Sequence, residues 1–286
     1  MFGGNKAKAG GSALERQRSL ASGFSRGGLG VGLYDIWRGL VTWPVWMRLA
    51  QQDIALRYKR SVIGPFWISL SLAAMIIGMS LLYSQIFKTD FKEYLVYLSI
   101  GLLCWNYLSV MINESCVVLT DDTYLRALPV SVVGLAGRSM MRNGIIFAHN
   151  LLTVLVMLVI LQAPFKLTAF HALSGVAVYA VFGVLLGSIL APICLRFRDV
   201  AQVISSVLGI LFFLTPIIWK PDQVGGRVAI VEYNPIFHLI EIVRAPLLGH
   251  DVAPQSWAFV GLFLVVSLFT AILVLSVTRR RVYMWM

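Results

Sequence analysis

Apolar residues in this chain gather into long runs separated by short polar stretches. A helix rising 1.5 Å per residue needs about 20 mostly apolar residues to cross hydrocarbon. Six stretches reach that length, approximately Phe66–Phe87, Tyr94–Ile112, Gly144–Ala163, Ala172–Leu195, Val200–Trp219 and Trp257–Val277. Two further segments are apolar but do not qualify. Tyr34–Tyr58 mixes Trp37, Trp43, Trp46, Leu49, Ile54 and Leu56 with Arg38, Arg48, Asp53 and Arg57. That mixture suits an amphipathic helix lying in the membrane interface, broken or restarted at Pro44. Ile236–Leu248 is only 13 residues long, which suits a re-entrant or interfacial piece. Asn234 can cap it, Pro235 fits its first helical position, and Gly249 ends it. Within it Glu241 and Arg244 are three residues apart, hence neighbours on the helix surface.

The pattern predicts an all-α polytopic membrane protein. It would have six transmembrane helices, an N-terminal interfacial amphipathic helix and short re-entrant helices before the last span. Composition agrees: 58% of residues are apolar, 13% are charged, and mean hydropathy is +0.80. A soluble domain carries nearer one quarter charged residues. Residues 31–286 read as a single membrane domain, preceded by a Gly- and Ser-rich tail over 1–30 that lacks a signal-peptide core.

Net charge is +11, but the Lys and Arg residues lie between apolar runs, where they meet anionic lipid headgroups rather than nucleic acid. With alternating connections, 18 of the 24 basic residues fall on the side of the N-terminus and 6 on the other. The positive-inside rule then places both termini in the cytoplasm. Cys104, Cys116 and Cys194 lie in or beside apolar runs, and their odd number suggests no disulfide framework.

Catalytic signatures are missing from the sequence. It contains no G-x-x-x-x-G-K-[ST] phosphate loop, no H-E-x-x-H and no Cys/His cluster, and the four histidines are dispersed. No cofactor or metal is therefore expected in this chain. His149 and Asn150 fall inside the third expected span, where an interhelical hydrogen bond is the ordinary role of a polar pair. Gly183 and Gly187 form a G-x-x-x-G that admits close helix packing.

Four blocks carry more information. Arg57-Tyr-Lys-Arg-Ser-Val-Ile-Gly-Pro-Phe-Trp67 is a basic stretch, a Gly-Pro break and the start of a span. It resembles the R-Y-[KR]-x-[ST]-x-[IVL]-G-x-x-W signature of permease subunits of type-2 ABC exporters for O-antigen and capsular polysaccharide. Leu125-Arg-Ala-Leu-Pro-Val-Ser131 looks like that family's loop after the second span, Arg196-Phe-Arg-Asp-Val200 its R-x-R-D turn, and Tyr233 to Arg244 its outer N-P-x-x-x-x-x-E-x-x-R segment. The blocks stand in the family's order from about residue 45 onward.

This resemblance implies a homodimer in the bacterial inner membrane, joined to two copies of a separate ABC ATPase that holds ATP and magnesium, with lipid-linked polysaccharide as cargo. It marks Arg57, Tyr58, Lys59, Arg60, Arg126, Arg138, Arg196, Arg198 and Asp199 as candidates for coupling to the ATPase. Tyr83, Phe87, Trp105 and Tyr107 are candidates for a glycan path, since sugars lie against aromatic faces. Tyr and Trp also gather at membrane interfaces generally. Asn234, Pro235, Glu241 and Arg244 mark the outer segment. The alternatives are a permease for teichoic acid or a small molecule, and a membrane transferase acting on lipid-linked sugars. The transferase would need convergent acids or histidines, which the spans scarcely hold.

Overall fold

The computed structural model describes residues 29–59, 64, 66–120, 131–162, 167–221 and 229–285. All regular structure among them is helical. Helix α1 is Leu29–Val41, α2 Trp43–Tyr58, α3 Phe66–Ile86, α4 Phe91–Val117, α5 Val132–Ile160, α6 Ala172–Arg196, α7 Asp199–Leu214, α8 Ala229–Glu232, α9 Pro235–Leu247 and α10 Pro254–Trp285, with a 3-10 turn at Leu167–His171. The expected tail falls almost wholly outside the described residues.

Among the described residues five helices, α3, α4, α5, α6 and α10, are long and apolar enough to cross a membrane. The fifth expected span, Val200–Trp219, ends early. Helix α7 has 16 residues, about 24 Å at 1.5 Å per residue, and leaves helical geometry at Thr215 (φ −88°, ψ 134°). Thr215 precedes Pro216, and the residue before a proline is pushed out of the α region. The apolar residues beyond it, Ile217 and Ile218, are buried by the protein itself.

Two other expected boundaries move outward because helices outlast their apolar stretches. Helix α5 starts at Val132, twelve residues ahead of the expected Gly144, where the Ser131 hydroxyl caps the Gly134 amide at 3.0 Å. Helix α4 starts at Phe91 behind the Asp90 carboxylate, which accepts from the amides of Lys92 and Glu93.

Helix α4 is the axis of the bundle and touches α3, α5, α6, α7 and α9. The Gly183–Gly187 pair of α6 packs as its spacing predicts. A Cβ on Gly187 would lie 2.7 Å from the Ala136 Cβ of α5, and one on Gly183 2.7 Å from the Met111 Sδ of α4. Helices α1 and α2 meet at Thr42, beside Pro44 as expected, and dock on α5 and α10. Contact there is close: a Cβ on Gly137 would sit 2.1 Å from the Trp46 ring, and one on Gly39 2.5 Å from the Val133 Cβ. Ser69 of α3 donates to Asn150 of α5 at 2.8 Å, the interhelical role expected of Asn150.

Candidate functional site

Three arrangements distinguish this bundle from a set of greasy rods: an open polar face, a clamped closure at one end and an ion-pair network at the other.

The open face belongs to α4. Beyond its first turn, the half nearest Phe91 is buried except for half-buried Val96. From Trp105 onward the exposed or half-buried positions are Asn106, Ser109, Val110, Asn113, Glu114 and Val117, which share one helix face by their spacing of three and four. The neighbours of this strip are fixed by contacts on its two flanks. Trp105 meets Phe212 of α7 with ring centroids 5.4 Å apart, and Glu114 bonds to Ser139, Arg142 and Asn143 of α5. Helix α7 shows the same division. Val203, Val207, Ile210 and Leu214 form one exposed flank, and Gln202, Ser205, Ser206 and Gly209 form another. Part of the strip's polarity is satisfied within the helix, since Asn113 Nδ2 donates to the Ser109 carbonyl at 2.9 Å. A row of amides and hydroxyls is nevertheless costly against lipid and suits water or a polar partner.

The closure lies at the end of α4 near Phe91. Where α7 unwinds, its carbonyls lose helical partners, and side chains replace them. Tyr94 donates to the Ile218 carbonyl at 2.6 Å. Tyr97 donates toward the carbonyls of Pro216 and Trp219 at 3.0 and 3.2 Å. Arg244 of α9 is 3% exposed. It donates to the Pro216 carbonyl at 2.6 Å, to the Tyr97 hydroxyl at 2.8 Å, and through Nη2 and Nε to Glu241 at 2.6 and 3.0 Å. Its guanidinium lies 4.6 Å from the Tyr97 ring centre. Asn234 both caps α9, accepting from Ile236 and Phe237 amides, and donates to Thr215 at 2.9 Å. Pro235 opens α9 as expected.

At the opposite end, α2 carries Asp53 into contact with α5. Arg138 donates to its two oxygens at 2.6 and 2.8 Å, and Arg142 to one of them at 3.2 Å. Arg142 also reaches Glu114 of α4 at 2.5 Å. A cavity of about 220 Å³ beside this network is lined by Arg57, Glu114, Val117, Leu135, Arg138 and Arg142, among others.

The remaining expected residues are scattered. Lys59 is exposed and Tyr58 half-buried at the end of α2. Arg60 and Arg126 lie outside the described residues. Arg196 ends α6 with its guanidinium 5.5 Å from the Trp285 ring centre, while Arg198 and Asp199 are exposed at the start of α7. The four aromatic candidates do not form one path. Tyr83 and Phe87 stack at 6.0 Å near the closed end. Trp105 borders the polar strip. Tyr107 is buried inside the protomer between Phe147 and Tyr179, at 4.8 and 5.5 Å. The sequence reading missed the strip itself, although Asn106, Ser109 and Asn113 stand at i, i+3 and i+7. It also left Asp53, Glu114, Tyr97 and Thr215 without a role.

A bundle of apolar helices with a polar face, sealed at one end, defines a multi-pass membrane protein built for transport. The chain belongs to the ABC-2 type transporter family, whose model matches residues 45–248. It is 24% identical over 228 residues to an O-antigen export system permease protein, RfbA, of Myxococcus xanthus, covering 75% of this chain and 82% of that one. An RfbA permease of Klebsiella pneumoniae is 23% identical over 199 residues, covering 67% and 75%.

Proposed function

We propose that this chain is the membrane subunit of an ATP-driven exporter of O-antigen, with the polar strip of α4 and the flank of α7 beside it forming part of the conduit. Two copies would face each other across that conduit in the bacterial inner membrane, each served by a separate ABC ATPase that binds ATP and magnesium. The observation that carries the conduit is the row Asn106, Ser109 and Asn113 left half-exposed along one face of α4. The relatives' names support the cargo, and the four sequence blocks support the class.

The α1–α2 end is the cytoplasmic one in this reading. The 18-to-6 division of basic residues favours it. Exposed Trp37 and Trp43 beside Arg38 and Arg48 fit helices lying at the inner interface. Helix α7, extended by Thr215–Trp219, then makes the fifth of six crossings, and α9 enters the outer leaflet and returns. The strip opens inward and the clamped closure is the outer seal, so the cargo is met from the cytoplasm.

The test replaces Asn106 and Asn113 singly by Leu and expresses the chain with its matching ATPase in cells that make O-antigen but lack their own exporter for it. A conduit predicts that surface polysaccharide falls by roughly tenfold or more while the protein inserts normally, a rise of about 1.4 kcal/mol in the transport barrier. Lipid-facing positions predict unchanged export, because leucine suits lipid better than asparagine. Absence of surface O-antigen even with the unaltered chain and its ATPase would rule out the cargo.

A further inference from the structure

Asp53, Glu114, Arg138 and Arg142 come from three helices and alternate in charge, in the order Arg138, Asp53, Arg142, Glu114. Their side chains are 9%, 14%, 19% and 21% exposed in that order. Placement separates this network from a surface ion pair. Glu114 lies in the last turn of α4, and Arg138 and Arg142 in the second and third turns of α5. The connection between α4 and α5 therefore leaves from the network and returns to it. Asp53 is about one turn before Arg57, so the basic end of α2 is tied to the same point.

Steric contacts make the joint stiff. The Trp46 ring fills the space at Gly137, and Val133 fills the space at Gly39, so neither α1 nor α2 can slide along α5 without collision. Helix α4 also carries Ser109 and Asn113 within two turns of Glu114. Displacement of the network is thereby displacement of the strip.

We infer that Asp53 and Glu114 are positioning residues that fasten α2 and the adjoining ends of α4 and α5 into one mechanical body, through which a force from the ATPase reaches the polar strip. The inference rests on the conduit reading above. Asp53 orients both arginines of α5, and Glu114 passes the constraint on to α4. Arg138 and Arg142 act through these carboxylates rather than on any ligand.

The measurement uses the full chain reconstituted with its ATPase subunit, with Cys104, Cys116 and Cys194 replaced by Ala and Ser109→Cys as reporter. The labelling rate of that thiol is compared with and without ATP and vanadate. With the network intact, nucleotide should change the rate by roughly fivefold or more, the lower range of coupling between sites. Asp53→Asn and Glu114→Gln should each erase most of that change while ATPase binding and basal hydrolysis persist. An undiminished effect in both carboxylate variants would overturn the inference, even if their melting temperatures fall. No nucleotide effect with the network intact would overturn the conduit reading, and this inference with it. Cargo does not enter the measurement, so a wrong polysaccharide leaves the joint standing.

Discussion

The two ends of the bundle each hold a partly buried ionic cluster, and the clusters are built on opposite plans. At the sealed end a single guanidinium, Arg244, takes one carboxylate from its own helix and then turns to the main chain of Pro216. At the α1–α2 end, side chains as far as 89 residues apart bind one another across three helices. The first cluster holds backbone that cannot satisfy itself. The second fastens helices whose backbones are already satisfied. Failure at the sealed end therefore strands carbonyl groups, whereas failure at the other end leaves intact helices loosely joined.

The sharpest way to break this contrast is Arg244→Gln. It leaves Glu241 without its partner and the Pro216 carbonyl with Tyr97 alone, and should cost about 3–5 kcal/mol of stability, as for removing one partner of a buried pair. Glu241→Gln leaves Arg244 with Pro216 and Tyr97 and should cost about 1.5–3 kcal/mol, the worth of a charged hydrogen bond. The double variant should be no worse than Arg244→Gln alone. Thermal unfolding of the purified proteins reads all three, and strictly additive losses would mean that the pair is not coupled.

Gly137→Ala should follow at about 1–3 kcal/mol, the usual cost of overpacking, because the atom it adds meets the rigid ring of Trp46. Trp46→Leu in the same chain should recover part of the loss. Full stability of Gly137→Ala would show that α2 yields freely, against a stiff joint.

The smallest effect belongs to Lys220→Gln. It removes a 2.5 Å pair with Glu93, whose side chain is 67% exposed, and should cost less than about 1 kcal/mol. A loss as large as that of Arg244→Gln would mean the whole sealed end is one cooperative unit.

The sequence disclosed what depends on neighbours along the chain and hid what depends on folding. Helices α3 and α6 begin where hydropathy placed them, at Phe66 and Ala172. The Asn234 cap and the pairing of Glu241 with Arg244 are local, and spacing announced both. Helix α5 was read short because Arg138 and Arg142 look like loop charges until Asp53 and Glu114 arrive from elsewhere. Helix α7 was read long because Ile217, Ile218 and Trp219 look like more span, although the Thr-Pro step at 215–216 was a visible stop. The strip on α4 was legible in principle. Its three polar residues were absorbed into a run judged only by average hydropathy.

The early start of α5 has a consequence for how this end exchanges with water. Val133 through Met140 are all buried, yet they precede the apolar stretch that begins at Gly144. Protein, not lipid, shields their amides, over about 12 Å of helix. Amide hydrogen exchange should therefore find no break at residue 144, and slow exchange should run back to the second turn of α5. The kinetic stability of that end belongs to the fold, and a thinner bilayer or a different detergent should leave it unchanged.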